Sequence, residues 1–190
     1  NEKIINTDLD LSGSLNYVLS GSNQKKNTNV NESYIINDLI YKSNSIFSKF
    51  GTNSNYEFFL KNSTKEGKNS TNYSHDIKSE NYIALSFKST LPLKKSYTNY
   101  VSNLTPKLLA RYSPSQSENM TNDDKKINIT NVFSNNRLGV SDSLEGGQSI
   151  TLGFDYDLKN LDNRDLLGIS LGQIFRDKED KRLPIKSKMR

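Results

Sequence analysis

The sequence predicts an all-β protein of antiparallel, up-and-down strands, forming a segment of a large transmembrane β-barrel. Three observations lead there. Apolar residues recur at period two in several separate stretches, the spacing that gives a strand one apolar and one polar face. No apolar run reaches the ~18 residues of a membrane-crossing helix, so any membrane would be crossed by strands. Polar connections of ten or more residues sit among short ones, the outer-membrane habit of long loops at one end and tight turns at the other.

The first strand is Leu9 to Leu19, where Leu9, Leu11, Leu15, Tyr17 and Leu19 alternate with Asp10, Ser12, Ser14 and Asn16. A polar loop from Gly21 to Glu32 follows, then a strand from Tyr34 to Tyr41. Ser45 to Phe50 continues that strand or forms a short separate piece, and Gly51 to Asn55 breaks the chain. Tyr56, Phe58 and Leu60 share the face of the next strand, which runs into Lys61 and Asn62. Ser63 to about His75 reads as a second polar loop.

Tyr82 to Leu93 is the strongest strand of the first half. Ile83, Leu85, Phe87, Leu91 and Leu93 oppose Tyr82, Ala84, Ser86, Lys88 and Thr90, and Pro92 marks its end or a bulge. Lys94 to Tyr100 is a turn. Val101 to Tyr112 sets Leu104, Leu108, Ala110 and Tyr112 against Thr105, Lys107 and Arg111. Ser113 to Lys126 is a third polar loop, and Ile127 to Phe133 a short strand. Ile150, Leu152, Phe154, Tyr156 and Leu158 then alternate with Ser149, Thr151, Gly153, Asp155 and Asp157. The last strand is Leu166 to Arg176, with Leu167, Ile169, Leu171 and Phe175 on one face; Asp177 to Lys181 reads as solvated charge.

Composition agrees with one-sided strands. Only 33% of residues are hydrophobic and mean hydropathy is −0.74, values that lean toward disorder when averaged. A wall with one face in water lowers the average in the same way. The net charge of +5 fits Lys-rich usage and leaves room for an anionic partner. The basic residues are dispersed, which argues against nucleic acid. Cysteine is absent, so these residues hold no disulfide and no thiolate metal site.

Candidate chemistry is sparse. His75, the single histidine, sits in a polar loop beside Ser74 and Asp76 and makes no relay by adjacency. Asp155 and Asp157 share one strand face and read as wall charge rather than an acid–base pair; Asp123 and Asp124 are loop charge. Gly146-Gly147 precedes a strand, so a phosphate loop would lack its helix N-terminus, and the pair reads as a turn. Asn62-Ser63-Thr64 matches the short glycosylation pattern and carries no weight. No cofactor or metal is expected. Lys88, Lys107, Arg111 and Arg176 lie on polar strand faces and are candidate lumen-facing cations for an anionic substrate.

Several segments together resemble the LptD family of LPS-assembly proteins, also called the organic-solvent-tolerance family, which are outer-membrane barrels. Asn136-Arg137, Gly139, Asp142 and Glu145-Gly146-Gly147, followed by a strand, are similar to the family's Asn-Arg…Gly…Asp…Glu-Gly-Gly stretch. Leu171-Gly172-Gln173-Ile174-Phe175 resembles its next strand. Asn37 to Tyr41, Leu60 to Asn62 and Leu104 to Lys107 fall in the expected order. The chain departs from the pattern at Leu138, where an aromatic is common, and at Ser143, where Arg often stands. On this resemblance the Asn136–Gly147 stretch is a family-marking turn.

The resemblance implies a non-enzymatic translocon that assembles lipopolysaccharide into the outer leaflet of a Gram-negative outer membrane. It implies as partners lipopolysaccharide, outer-membrane lipid, an LptE-like plug lipoprotein and an LptA-like periplasmic bridge. Residues 1–190 would be an internal slice of the barrel, without the family's N-terminal periplasmic domain or the barrel's terminal strands. Three rivals stand beside it: a general pore-forming barrel, a soluble all-β binding or adhesin module, and a barrel-embedded hydrolase using His75. A soluble module would bury Leu85, Phe87, Leu152, Phe154, Ile169 and Leu171 in an enclosed core; a membrane wall would point them outward in one band.

Overall fold

Period-two alternation builds a single antiparallel sheet in this computed structural model, whose described residues are 12–25 and 29–187. The long strands are β1 (Gly13–Lys25), β2 (Asn31–Ser43), β4 (Asn53–Lys68), β5 (Lys78–Thr90), β7 (Tyr100–Ser113), β8 (Gly147–Asn160) and β9 (Asp165–Arg176). Two short strands extend the ladder: β3 (Ile46–Phe47) beside β4, and β6 (Leu93–Ser96) beside β7. Chain neighbours pair throughout, in the order β1-β2-β4-β5-β7-β8-β9. The sheet is all-β, up-and-down and not closed; among the described residues β1 and β9 each keep one unpaired edge.

Cross-strand register joins the apolar faces into one band. Leu15 stands opposite Tyr41, Tyr41 opposite Phe58, Phe58 opposite Leu85 and Leu85 opposite Tyr112. Farther along, Ala110 meets Ile150, Ile150 meets Phe175, Phe154 meets Leu171 and Tyr156 meets Ile169. These side chains point away from the covered face. Leu85, Phe87, Leu152, Ile169 and Leu171 are each between 44% and 53% exposed, so they form no enclosed core. On β8 the band runs from Ile150 to Leu158, about 26 Å of strand at ~3.3 Å per residue. Tilted near 40°, that is roughly 20 Å of height, close to the ~25 Å apolar belt of barrels.

Polar groups bound the band. On β2, β4 and β5 the outward phase is crossed by a ladder of asparagine amides, with Ile35 beyond it on β2: Asn37 donates to Asn62 (3.3 Å) and Asn62 to Asn81 (2.9 Å), while Tyr17 donates its hydroxyl to Asn37 (2.7 Å). At the other side Ser54 donates to Ser89 (2.8 Å).

The two ends of the sheet differ. Residues 29–30, connections 69–77 and 114–146 and the tail 177–187 gather at one end. Connections 44–52, 91–99 and 161–164 sit at the other, and none approaches the length of 114–146. The longest, 114–146, does not project outward. It lies back across the polar face, so this face is covered by the chain itself.

Several boundaries differ from those the sequence predicts, for one physical reason. The expected loops Gly21–Glu32 and Ser63–His75 are cut back, because β1 runs to Lys25, β2 starts at Asn31 and β4 runs to Lys68. Both phases of β4 are polar there: Lys65 and Ser63 face the covering segment while Asn62 and Thr64 face outward, which erases the alternation that marks a strand. The expected turn Lys94–Tyr100 begins with paired residues of β6. Residues 127–133 form turns, not a strand, and pack onto the sheet. Asp180 is not free charge but accepts from Ser117 (2.7 Å), and Leu183 beyond it is buried. Leu9 to Leu11 lie outside the described residues.

An outward band in lipid gives a direct expectation. Leu152→Arg should cost about 2–4 kcal/mol, the price of a basic side chain near the bilayer midplane. At a water-exposed position the same change would fall within about 0.5 kcal/mol of neutral. Urea unfolding of the folded, heat-modifiable form in phospholipid bilayers reads the difference.

Candidate functional site

The polar face of the sheet presents a grid of cations, and the 114–146 segment supplies the groups that satisfy them. β7 contributes Arg111 and β9 contributes Arg176, both on the phase opposite the apolar band. The segment contributes Arg137 and Glu145, whose side chains are 0% and 2% exposed. Arg137 grips Glu145 in a two-pronged pair, Nε to Oε2 at 2.7 Å and Nη2 to Oε1 at 2.5 Å. Its remaining donors reach the sheet, at Ser149 Oγ (2.8 Å) and Thr151 Oγ1 (3.2 Å). Arg176 pairs with the same Glu145 oxygen and donates to the Gly146 carbonyl (2.8 Å). Arg111 donates to the carbonyls of Asn135 (2.9 Å) and Glu145 (2.5 Å).

Glu145 is therefore one carboxylate among three guanidinium groups. Burial alone would raise its pKa; the hydrogen bonds from Arg137 and the charges of Arg137, Arg111 and Arg176 outweigh that and hold the carboxyl below its ordinary value. Fork-shaped guanidinium donors suit this bidentate geometry, which an ammonium could not reproduce.

A second set of ties anchors the outer part of the segment. Lys65 on β4, almost wholly buried, meets Glu118 (2.8 Å) and Asp142 (3.1 Å). Lys61, also on β4, pairs with Asp38 (2.7 Å) and donates to the Ser141 carbonyl (2.6 Å). Between these ties Leu144 packs on Phe59, Tyr82 and Ala84, while Leu138, Val140, Met120 and Leu183 form a small cluster within the covering layer.

Glycines admit the segment. Gly153 and Gly172 face one another across β8 and β9, and a side chain on either would run into the Phe133 ring. The turn at Gly139 takes a φ of +61°, and its N–H donates to the Asn136 carbonyl (3.1 Å). Asn136 donates its amide to the Val140 carbonyl (3.0 Å), closing the same turn. Gly146 lies so close to the Ser115 carbonyl that a Cβ would not fit, and donates its N–H to Ser117 (2.8 Å). Gly147 takes a φ of +86° beneath the Arg176 guanidinium.

The sequence-named residues thus divide. Arg137, Glu145 and Gly146 are buried against the sheet, Asn136, Asp142 and Gly147 are partly buried beside them, and Gly139 is an exposed turn. Arg111 and Arg176 hold Glu145 from the sheet. Lys107 pairs with Asp155 and lies over the Phe133 ring, 5.5 Å from its centre. Lys88 is half-buried on the same face, nearer the short-turn end. His75 is exposed in the 69–77 connection, away from Asp155 and Asp157 on their strand. Asp124 pairs with Lys186 at the surface. Neither Lys61, read only as the end of a strand, nor Lys65 is among the sequence-named site residues; the signal that marks them is a lysine on the inward phase of a strand.

A protein-family model for LPS transport system D, LptD, matches residues 56–189. The chain belongs to the LptD family. The match takes in β4 through the C-terminal tail, including the whole docked segment with Arg137 and Glu145. No curated protein sequence matches the chain. LptD is a transport family and not an enzyme family, and lipopolysaccharide handling in the outer membrane is its role. In this LptD-like chain the motif residues are structural ties that seat a segment on the sheet.

Two tests address the ties. Glu145→Ala leaves three buried guanidinium groups without their carboxylate and should destabilise docking by roughly 3–5 kcal/mol, seen as faster hydrogen exchange across 114–146 with strand amides little changed. Because the folded carboxyl sits below its ordinary value, the docking contribution is complete above that value, about 4.3. It is lost as pH falls through the lower folded value. Protection in 114–146, measured relative to the intrinsic exchange rate at each pH, should stay flat from pH 7 to about 5 and fall only in stronger acid, and Glu145→Gln should remove the Glu145 part of that fall.

Proposed function

We propose that this sheet is part of the wall of an outer-membrane barrel that delivers lipopolysaccharide to the outer leaflet, with segment 114–146 seated in the lumen as an internal plug. The observation that carries the reading is the two-sided character of the wall. One face is a continuous exposed apolar band, and the other is polar and covered by the chain's own longest connection. A bilayer satisfies the first face, and a wet lumen suits the second. On this reading the end that carries the long connection 114–146 is the cell exterior and the other end the periplasm.

Family membership supplies the cargo, and the resemblance supplies the partners: an LptE-like lipoprotein inside the barrel and an LptA-like bridge feeding it from the periplasm. Lys88, Lys107, Arg111 and Arg176 then face the lumen, with Arg111 and Arg176 committed to the plug. A soluble module would need a second apolar layer over Leu85, Phe87, Leu152 and Leu171; among the described residues nothing lies over them.

Depletion of the full-length protein in its own cells separates transport from simple pore formation. Newly made, pulse-labelled lipopolysaccharide should fail to reach the surface within about one generation, with the plug-intact gene restoring it. Unchanged arrival together with altered uptake of small solutes would identify a diffusion pore instead.

A further inference from the structure

Most cations of the polar face are spoken for. Lys61 and Lys65 hold carboxylates, Lys107 holds Asp155, and the three arginines hold Glu145 and backbone carbonyls. Lys42 and Lys88 are different: among the described residues neither ammonium has an ion pair or a hydrogen bond. Both line a cleft of about 600 Å³ between the polar face and the 129–136 part of the docked segment. That volume lies in the range of small-ligand sites.

The rest of the lining has a recognisable chemistry. Asn55 offers an amide, Thr130 a hydroxyl oxygen and Phe133 an aromatic ring. Asn135, 8% exposed, also lines the cleft, and its Oδ1 is buried without a hydrogen-bond partner among the described residues. Buried acceptors are almost always satisfied, so an orphan in a cleft wall marks a place for a donor. Glu57, the acid between the two lysines, already accepts from the Asn135 amide (3.0 Å).

The geometry points to a docking site for a phosphorylated saccharide in this cleft. Lys88 and Lys42 take the phosphate as charge-assisted donors. Asn135 Oδ1 accepts from a sugar hydroxyl, and Phe133 lies against the C–H face of the ring. The site rests on the transport reading and deepens it, by locating where an anionic sugar headgroup pauses beneath the plug. It needs no plug release, because Lys42 is exposed at the mouth of the cleft.

The test uses the full-length protein in living cells, with a photo-crosslinking amino acid at Thr130. Illumination should give a phosphate-containing glycan adduct, and its mass tells the sources apart: an adduct with acyl chains is lipopolysaccharide, one without is a free sugar phosphate. Lys42→Gln with Lys88→Gln should lower the yield roughly tenfold, the weight of one charge-assisted hydrogen bond. Lys42→Arg with Lys88→Arg should restore most of it, and Lys178→Gln should leave it unchanged. Heat-modifiable migration confirms that each variant folds. No adduct at Thr130, or equal yield from the double-Gln variant, overturns the site. If surface lipopolysaccharide still depends on the protein in that case, the transport reading stands and only the cleft fails. If depletion leaves surface lipopolysaccharide unchanged, both fail.

Discussion

Glu145 is the joint of this structure. Its carboxylate takes Arg137 of the covering segment and Arg176 of β9, and its main-chain carbonyl takes Arg111 of β7. Buried ion pairs of this kind contribute little net stability, because desolvation consumes most of the Coulomb gain. Their value is positional. A guanidinium left without its carboxylate is costly, so alternative placements of the segment are penalised far more than the correct one is rewarded. Leu144, next in the chain, shows the same division of labour: its apolar contacts with Phe59, Tyr82 and Ala84 supply attraction, and the arginines supply the register.

That joint explains a composition that would otherwise be puzzling. A 33% hydrophobic chain has few residues with which to build a core, and many of them stand in an outward band. The covered face is held instead by charge and by small residues. Gly153, Gly172 and Gly146 remove side chains where the segment must come close, and Ser149, Thr151 and Ser113 fill the remaining buried positions. A polar interior of this sort is stable only when its donors are matched, which the arginine and lysine ties largely achieve.

The strands were legible because alternation is a property of neighbouring residues. β8 and β9 could be read almost to their ends from Ile150–Leu158 and Leu166–Arg176. Where a strand leaves the band, as β4 does beyond Leu60, both phases turn polar and the pattern vanishes although pairing continues to Lys68. Within segment 114–146 only the Asn136–Gly147 stretch is legible, as a family resemblance and not as a docked layer. Its partners Lys61, Lys65, Arg111 and Arg176 are remote in sequence, and periodicity carries no long-range contact. Ile127 to Phe133 alternates without a ladder for a related reason: Val132 and Phe133 fill a glycine notch and Ile127 joins the cluster of the covering layer.

The central claim is that one face of this sheet meets lipid while the other lies under its own loop. Residues 1–190 contain no cysteine, so a spin-label scan from Ser149 to Phe154 in lipid bilayers is direct. Labels at Ile150, Leu152 and Phe154 should be open to oxygen and closed to a water-soluble nickel chelate, while those at Ser149 and Thr151 should be closed to both. Equal shielding of both phases, or access of the nickel chelate to Thr151, would contradict the account.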